Sequence, residues 1–121
     1  MADYPVEWKR GEIQARVREL AGHKCEHCGI KFIYGSNTAV NAKNSDGKPV
    51  IGTVHHINGN KADCSYENLL YCCQRCHLHI QGTWKPGDMI PASWYGVPEW
   101  IIKRGLPYRD APGTQQTLPG F

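Results

Sequence analysis

The sequence lacks long hydrophobic runs, and this absence excludes a transmembrane helix within it. Its longest aliphatic run is two residues, whereas a transmembrane helix needs about 20 consecutive apolar residues. The segment Met1–Arg10 contains two acidic residues and no apolar core of a secretory signal. We therefore expect a cytoplasmic protein that has no membrane partner.

Apolar residues and basic runs are also scarce. Hydrophobic residues make up 40% of the 121 residues, which is below the usual share in globular domains. Glycine (13) and proline (8) together account for about one residue in six, and this share favours short elements joined by many turns. No stretch of Lys and Arg exceeds two residues, and the formal net charge is only +3, so charge alone does not predict a nucleic-acid partner. The length predicts one domain, residues 1–121, with a small core.

Cysteine, in contrast, is plentiful, with six residues. In a reducing cytosol, cysteines indicate metal ligands or reactive thiols rather than disulfides. Four of them form two pairs of matched spacing, Cys25-x-x-Cys28 and Cys73-x-x-Cys76. Each such turn places two sulfurs at a separation that tetrahedral Zn²⁺ accepts, so the four cysteines predict one structural zinc site. Bound zinc also supplies folding free energy that a small core cannot.

The two remaining cysteines leave one competing pairing. Cys72 lies four residues before Cys76, but the spacing of Cys73 matches that of the first pair, so we favour Cys73 as the ligand. Cys72 is then expected to be a small buried residue, and Cys64 a loop thiol. The two histidines in or next to the first Cys-x-x-Cys turn are expected to face solvent: His23 and His27.

Hydrophobic spacing and turn residues predict an α+β fold. Residues 5–22 are predicted to form an N-terminal helix, with a weak point at Gly11 and a stop at Gly22. The turn sequence Asn44–Gly47 predicts a hairpin. The other predicted elements are, in chain order, strands at 32–34, 50–51, 53–57 and 69–72, and a helix at 76–81 that ends at Gly82.

The C-terminal part is predicted to be irregular. Five prolines interrupt residues 83–113, and only 98–105 has the pattern of a short helix. The aromatic residues of this part are Trp84, Trp94, Tyr95, Trp100 and Tyr108. We expect them to pack back onto the domain as an irregular wrap, and the alternative is a stacking surface for nucleic acid. Residues 114–121 are expected to form a disordered tail.

A second group of residues surrounds the later cysteine pair. His55 and His56 stand together at the end of a predicted strand. Asn68 precedes the next strand, and His77 directly follows Cys76. This combination resembles the HNH endonucleases, whose pattern is an Asp-His or His-His pair, a central Asn, and Cys-x-x-Cys followed by His or Asn.

The resemblance covers residues 25 to about 81, slightly less than half of the chain, within a zinc-stapled core predicted at 23–82. It implies the ββα-metal fold. It implies that His56 is the general base and that His55 and His77 hold a catalytic divalent metal. Asn68 is expected to hydrogen-bond to backbone across the loop and so to orient His56. The implied activity is metal-dependent hydrolysis of DNA phosphodiester bonds, by nicking or double-strand cleavage. The residue chemistry agrees, because a histidine is a suitable base at neutral pH and a metal with open positions stabilises phosphoryl charge.

Two departures from the family pattern affect the metal. His55 stands where many members have Asp, so the site lacks a carboxylate, and we expect Mn²⁺, Ni²⁺ or Zn²⁺ to bind better than Mg²⁺. Some members have a further histidine one helical turn after the last ligand, and here that position is Gln81. His79 is expected on the other side of the helix. The candidates for contact with DNA are Lys61, Arg75, His79 and Lys85.

Two other functions remain open from the sequence. A non-catalytic zinc-knuckle module that binds nucleic acid or protein would explain the cysteines but leave the histidine and asparagine spacing to chance. A thiol–disulfide protein would need Cys25 or Cys73 as a reactive residue and would bind no zinc. Small stand-alone HNH proteins resemble those encoded by phages, which implies the host cytoplasm and a terminase or packaging partner. We expect a monomer or a weak homodimer.

Overall fold

Short helices and strands joined by tight turns make up the chain. The computed structural model describes residues 5–94 and 96–108. In chain order, the helices are α1 (Val6–Lys9), α2 (Glu12–Leu20), α3 (Gln74–Thr83) and α4 (Glu99–Lys103), and the strands are β1 (Thr38–Lys43), β2 (Pro49–His56) and β3 (Leu69–Cys73). Two single-turn 3-10 helices, Tyr66–Asn68 and Ala92–Trp94, complete the elements of the described residues.

The three strands form one antiparallel sheet in the order β1-β2-β3. The first hairpin turns at Asn44–Gly47, where the Asn44 side chain accepts two backbone N–H groups at 2.9 and 3.1 Å. This is a side-chain-supported turn of the kind that asparagine favours. β2 pairs with β3 continuously from Gly52 to His56. Because β3 leads directly into α3, the end of β2 and the first turns of α3 lie close together, and the whole is a small α+β fold.

The core lies around β3, whose residues are all buried. Val17 of α2 and Ile80 of α3 are buried against it. Three tryptophans from the C-terminal part contact one another, with ring centroids 5.6 to 6.2 Å apart, and each is at most 9% exposed: Trp84, Trp94 and Trp100. These aromatics therefore pack back onto the domain, whereas Tyr108 is exposed.

Several elements differ from the prediction. The strand β1 (Thr38–Lys43) lies where no strand is predicted, and β2 joins the strands predicted at 50–51 and 53–57 into one. The N-terminal helix is divided, because Gly11 has a φ of +80°, a left-handed conformation that interrupts an α-helix. The strand predicted at 32–34 is reduced to a single bridge between Phe32 and Ala39, because the chain turns directly after it. The helix α3 begins earlier than predicted and continues through Gly82, since one glycine weakens a helix by only about 1 kcal/mol.

The C-terminal part of the described chain is mostly irregular, with α4 inside the stretch where a short helix is predicted. Tyr95 and the predicted tail at 114–121 lie outside the described residues. Within residues 5–94 and 96–108, no helix has the length and apolar character that crossing a membrane requires.

Candidate functional site

Four cysteine sulfurs converge beside the start of α3, all within 4.8 Å of one another: those of Cys25, Cys28, Cys73 and Cys76. The Sγ atoms of Cys28 and Cys73 are 3.8 Å apart, and thiolates held about 2.3 Å from one tetrahedral zinc ion are also about 3.8 Å apart. The Cys25 sulfur accepts the backbone N–H groups of His27 (3.4 Å) and Cys28 (3.3 Å). The cluster is therefore positioned to bind a metal ion, and its four sulfur donors suit structural zinc.

Contacts among the four thiols lower the pKa of two of them and raise the pKa of the other two. Hydrogen bonds from neighbouring thiols, that of Cys25 first, lower the pKa of Cys28 to about 6 and also lower the pKa of Cys73. The same contacts raise the pKa of Cys25 and of Cys76. Two thiols thus ionise readily and two resist. A bound divalent cation would stabilise all four as thiolates, because its positive charge lies next to each sulfur.

Backbone and side-chain hydrogen bonds fasten the first Cys-x-x-Cys turn to β3. The N–H of Glu26 donates to the carbonyl of Tyr71 at 2.8 Å, and the N–H of Tyr71 donates to Oε1 of Glu26 at 3.0 Å. Because Cys73 lies two residues further along β3, this exchange holds the two halves of the cysteine cluster in register.

The prediction that His23 and His27 face solvent is wrong. Nδ1 of His27 accepts the indole N–H of Trp100 at 3.0 Å, and its ring lies edge-on to Trp94 at 4.6 Å. Burial, followed by the charge of His79, lowers the pKa of His27 to about 4. The ring of His23 packs against Tyr34 at 4.6 Å. Both histidines are partly covered because distant parts of the chain fold over the first cysteine turn.

The strand β2 and the helix α3 bring two histidines together. His55 pairs with Leu70 of β3, and the ring centroids of His55 and His77 are 5.0 Å apart. Two imidazoles bound to one ion through bonds of about 2.1 Å also have centroids about 5 Å apart. Nδ1 of His77 is buried and has no hydrogen-bond partner among the described residues, which is rare for a buried polar atom. The two rings thus have the spacing of ligands that share a metal ion, and Nδ1 of His77 is a buried nitrogen without a hydrogen bond to any described residue.

Burial keeps the histidines of this region neutral. It lowers the pKa of His55 to about 4, an effect to which His77 and His56 add, and it lowers the pKa of His77. Neutral imidazole is the form that binds metal ions. Burial also lowers the pKa of His56, opposed by the carboxylate of Asp63, so that its proton-accepting form dominates at pH 7.

His56 lies in different surroundings from His55. The Trp8 ring of α1 is 4.8 Å from the His56 ring at 48°, and the Sγ atom of Cys64 is 3.5 Å from Nε2 of His56. Both histidines line a cleft of about 200 Å³, which Lys85 also lines. No motif spacing connects Trp8 or Cys64 to His56, so neither residue can be recognised as part of the site from the sequence.

Asn68 is a buried residue that hydrogen-bonds to the backbone of the loop after β2. Its Nδ2 donates to the carbonyl of Asp63 at 2.8 Å, and its Oδ1 accepts the N–H of Asn58 at 2.9 Å. Its own carbonyl accepts the N–H of Ile57 at 2.8 Å. The side chain is buried and bridges the two ends of the loop that follows His56.

The residues expected to contact DNA fall into two groups. Lys85 lines the cleft, and the charge of Lys61 is close enough to His56 to contribute to lowering its pKa. Arg75 instead lies in a separate groove beside the first hairpin. His79 lies beside Trp94, at a ring distance of 6.0 Å, on the side of α3 near the first cysteine turn. The structure thus places Lys85 at the cleft and Lys61 near His56, with Arg75 and His79 elsewhere.

Comparison with known proteins gives one partial likeness. No protein-family model matches the chain, and no solved structure matches it. Zorya protein ZorE from Escherichia coli (strain Crooks) is 38% identical over 74 residues, which cover 61% of this chain and 16% of that protein. The chain therefore spans less than a fifth of that relative, and any activity has to be argued from the site.

Proposed function

We propose that this protein is a metal-dependent endonuclease of the HNH type that hydrolyses DNA phosphodiester bonds. The observation that carries the proposal is the pairing of His55 with His77, at 5.0 Å between ring centroids, beside His56. These residues come from β2 and α3, and the cysteine cluster fixes where α3 begins. The succession β2-β3-α3 next to the cluster is what a ββα-metal core requires.

Each residue of the site has one task in this proposal. His55 and His77 hold a divalent metal, which when bound supplies Lewis-acid stabilisation of the phosphoryl charge and the leaving oxygen. His56 takes a proton from the attacking water. Asn68 holds the loop that follows His56, through its hydrogen bonds to Asp63 and Asn58.

The cleft has the size to accept a single phosphate group of a DNA strand rather than a whole small molecule. Its volume of about 200 Å³ is below the range of about 300–1,000 Å³ that encloses small-molecule ligands. Lys85 lines it, and Lys61 is exposed nearby, so that cations are available for neighbouring phosphates. A single site of this kind cuts one strand, so double-strand cleavage requires a second copy or a second event.

The test is nicking of supercoiled plasmid by zinc-loaded protein across a panel of divalent metals. His56→Ala should lower the nicking rate by about 10²–10⁴, the contribution of a positioned general base. Its DNA affinity in a gel shift at the same salt should stay nearly unchanged, because affinity comes mostly from phosphate contacts. His79→Ala is the matched control, since His79 lies beside Trp94 rather than in the cleft, and it should nick normally.

Two outcomes would count against the proposal. A wild-type protein that binds zinc and DNA but nicks with none of the metals would favour a non-catalytic zinc-knuckle module. Normal nicking by His56→Ala would remove His56 from the chemistry.

A further inference from the structure

Two residues outside the β2-β3-α3 unit contact the His56 ring. Cys64 places its sulfur 3.5 Å from Nε2. Trp8, 48 positions before His56, places its ring 4.8 Å away. Asn68 holds the loop backbone through hydrogen bonds to Asn58 and Asp63. Two side chains beyond the HNH pattern thus contact the ring directly.

Hydrogen bonds at Asp63 hold the loop that carries Cys64 in place. Asp63, directly before it, accepts the Ser65 hydroxyl at 2.7 Å and the Asn58 amide at 3.0 Å. The Asp63 carbonyl accepts the Asn68 amide at 2.8 Å. With its neighbour held by three hydrogen bonds, Cys64 has little freedom to move away from His56.

The protons around the Cys64 sulfur can be assigned. The thiol donates its one hydrogen to the carbonyl of Lys61, at 3.4 Å. Burial, together with the negative charges of Asp63 and Glu7, raises the pKa of Cys64 and keeps it a thiol. The sulfur is then left as an acceptor 3.5 Å from Nε2 of His56, which can donate to it only in the tautomer with a proton on Nε2. In that tautomer the ring has its lone pair on Nδ1.

We propose that Cys64 is a positioning residue that fixes the rotation and tautomer of His56 by accepting its Nε2–H. This inference rests on the proposed function only for its kinetic consequence. The contact between sulfur and imidazole is a property of the folded chain whether or not the chain cleaves DNA.

The kinetic test compares Cys64 variants in plasmid nicking. Cys64→Ala should lower kcat about 10-fold with KM for DNA changed less than about twofold, a loss of the size seen when a supporting contact of a catalytic group is removed. Cys64→Ser should restore most of the rate, because its hydroxyl oxygen also accepts an N–H. In a His56→Ala background, Cys64→Ala should cause no further loss. Cys72→Ala is the matched control, because Cys72 is a fully buried thiol of β3, and its folded fraction should nick at the wild-type rate.

Two kinetic results would contradict the proposed role of Cys64. A wild-type rate in Cys64→Ala, or the same loss in the His56→Ala background as in the wild type, would overturn the assignment.

A second readout does not depend on activity. Nitrogen-15 NMR of histidine side chains in the zinc-loaded full chain should show His56 protonated at Nε2, with that proton protected from exchange. In Cys64→Ala the protection should be lost. An Nδ1-protonated His56 in the wild type, or unchanged protection in Cys64→Ala, would overturn the proposal about Cys64. Absence of nicking by the wild type would overturn the endonuclease proposal alone.

Discussion

Two adjacent histidines at the end of β2 have separate surroundings, and this difference underlies the proposed division of labour. His55 contacts His77 of α3, whereas His56 contacts Trp8 of α1 and Cys64 of the following loop. Neighbouring residues of a strand point to opposite sides, and here each side offers a different partner. A ligand and a base can therefore be consecutive residues without competing for one metal ion.

The metal preference should follow from the imidazole ligands at His55 and His77. At equal concentration, Mn²⁺ or Ni²⁺ should support faster nicking than Mg²⁺, because nitrogen ligands bind borderline metals better than the hard Mg²⁺ ion. His55→Asp should narrow this difference by adding a carboxylate. The measurement is the initial nicking rate in each metal for both proteins. A clear Mg²⁺ preference in the wild type would show that His55 and His77 are not the only side-chain ligands.

At the scale of elements, local signals predict well and distant contacts do not. The turn at Asn44–Gly47, the strand β3 and most of α3 follow from turn residues and hydrophobic spacing. The four clustered cysteines follow from matched short spacings. The indole of Trp100, in contrast, reaches His27 across 73 positions of the chain, and no periodicity extends so far. The same holds for Trp8 against His56.

The helix α3 shows why the end of an element is harder to predict than its presence. Gly82 is a plausible stop, yet the helix runs through it, because burial of Ile80 against the sheet outweighs the weak helix propensity of a single glycine. Tertiary packing thus decides a boundary that local propensity leaves open.

Alanine substitutions at two glycines, Gly52 of β2 and Gly82 of α3, should change the free energy of unfolding in opposite directions. A Cβ at Gly52 in β2 would overlap the hydroxyl of Tyr71 and lie 2.8 Å from its Cζ. Tyr71 cannot easily move, because it is 1% exposed and donates its hydroxyl to Asn37 at 2.7 Å. Gly52→Ala should therefore lower the free energy of unfolding by about 1–3 kcal/mol, as overpacking does.

The control for this prediction is Gly82→Ala in α3. An added Cβ there meets no described atom within 4 Å, so better helix propensity should raise the free energy of unfolding by up to about 1 kcal/mol. Urea unfolding of zinc-loaded protein measures both variants. Equal effects of the same sign would contradict the packing described around Tyr71.

At the scale of the whole molecule, the C-terminal part is fastened to the first cysteine turn. The guanidinium of Arg104 donates to both carboxylate oxygens of Glu26 at 3.3 Å and to the carbonyl of Leu69 at 2.8 Å. The indole of Trp100 donates to His27, next to Cys28. The second cysteine pair joins β3 to α3. The cysteine cluster is thus the point at which the N-terminal, central and C-terminal parts of the described chain meet.

Removal of zinc should therefore unfold more than the cysteine turns. Apparent binding free energies of structural zinc are about 10–16 kcal/mol, as large as the whole stability of a typical domain, about 5–15 kcal/mol. Cys76→Ser should abolish cooperative unfolding and shift tryptophan emission to longer wavelength, because Trp94 and Trp100 pack on His27 beside the cluster. Cys64→Ala, which removes a cysteine outside the cluster, should keep both the bound zinc and the wild-type tryptophan emission.

Protein purified without chelator should contain one zinc per chain by elemental analysis. Substoichiometric zinc, or unchanged emission in Cys76→Ser, would show that the small core folds without the metal.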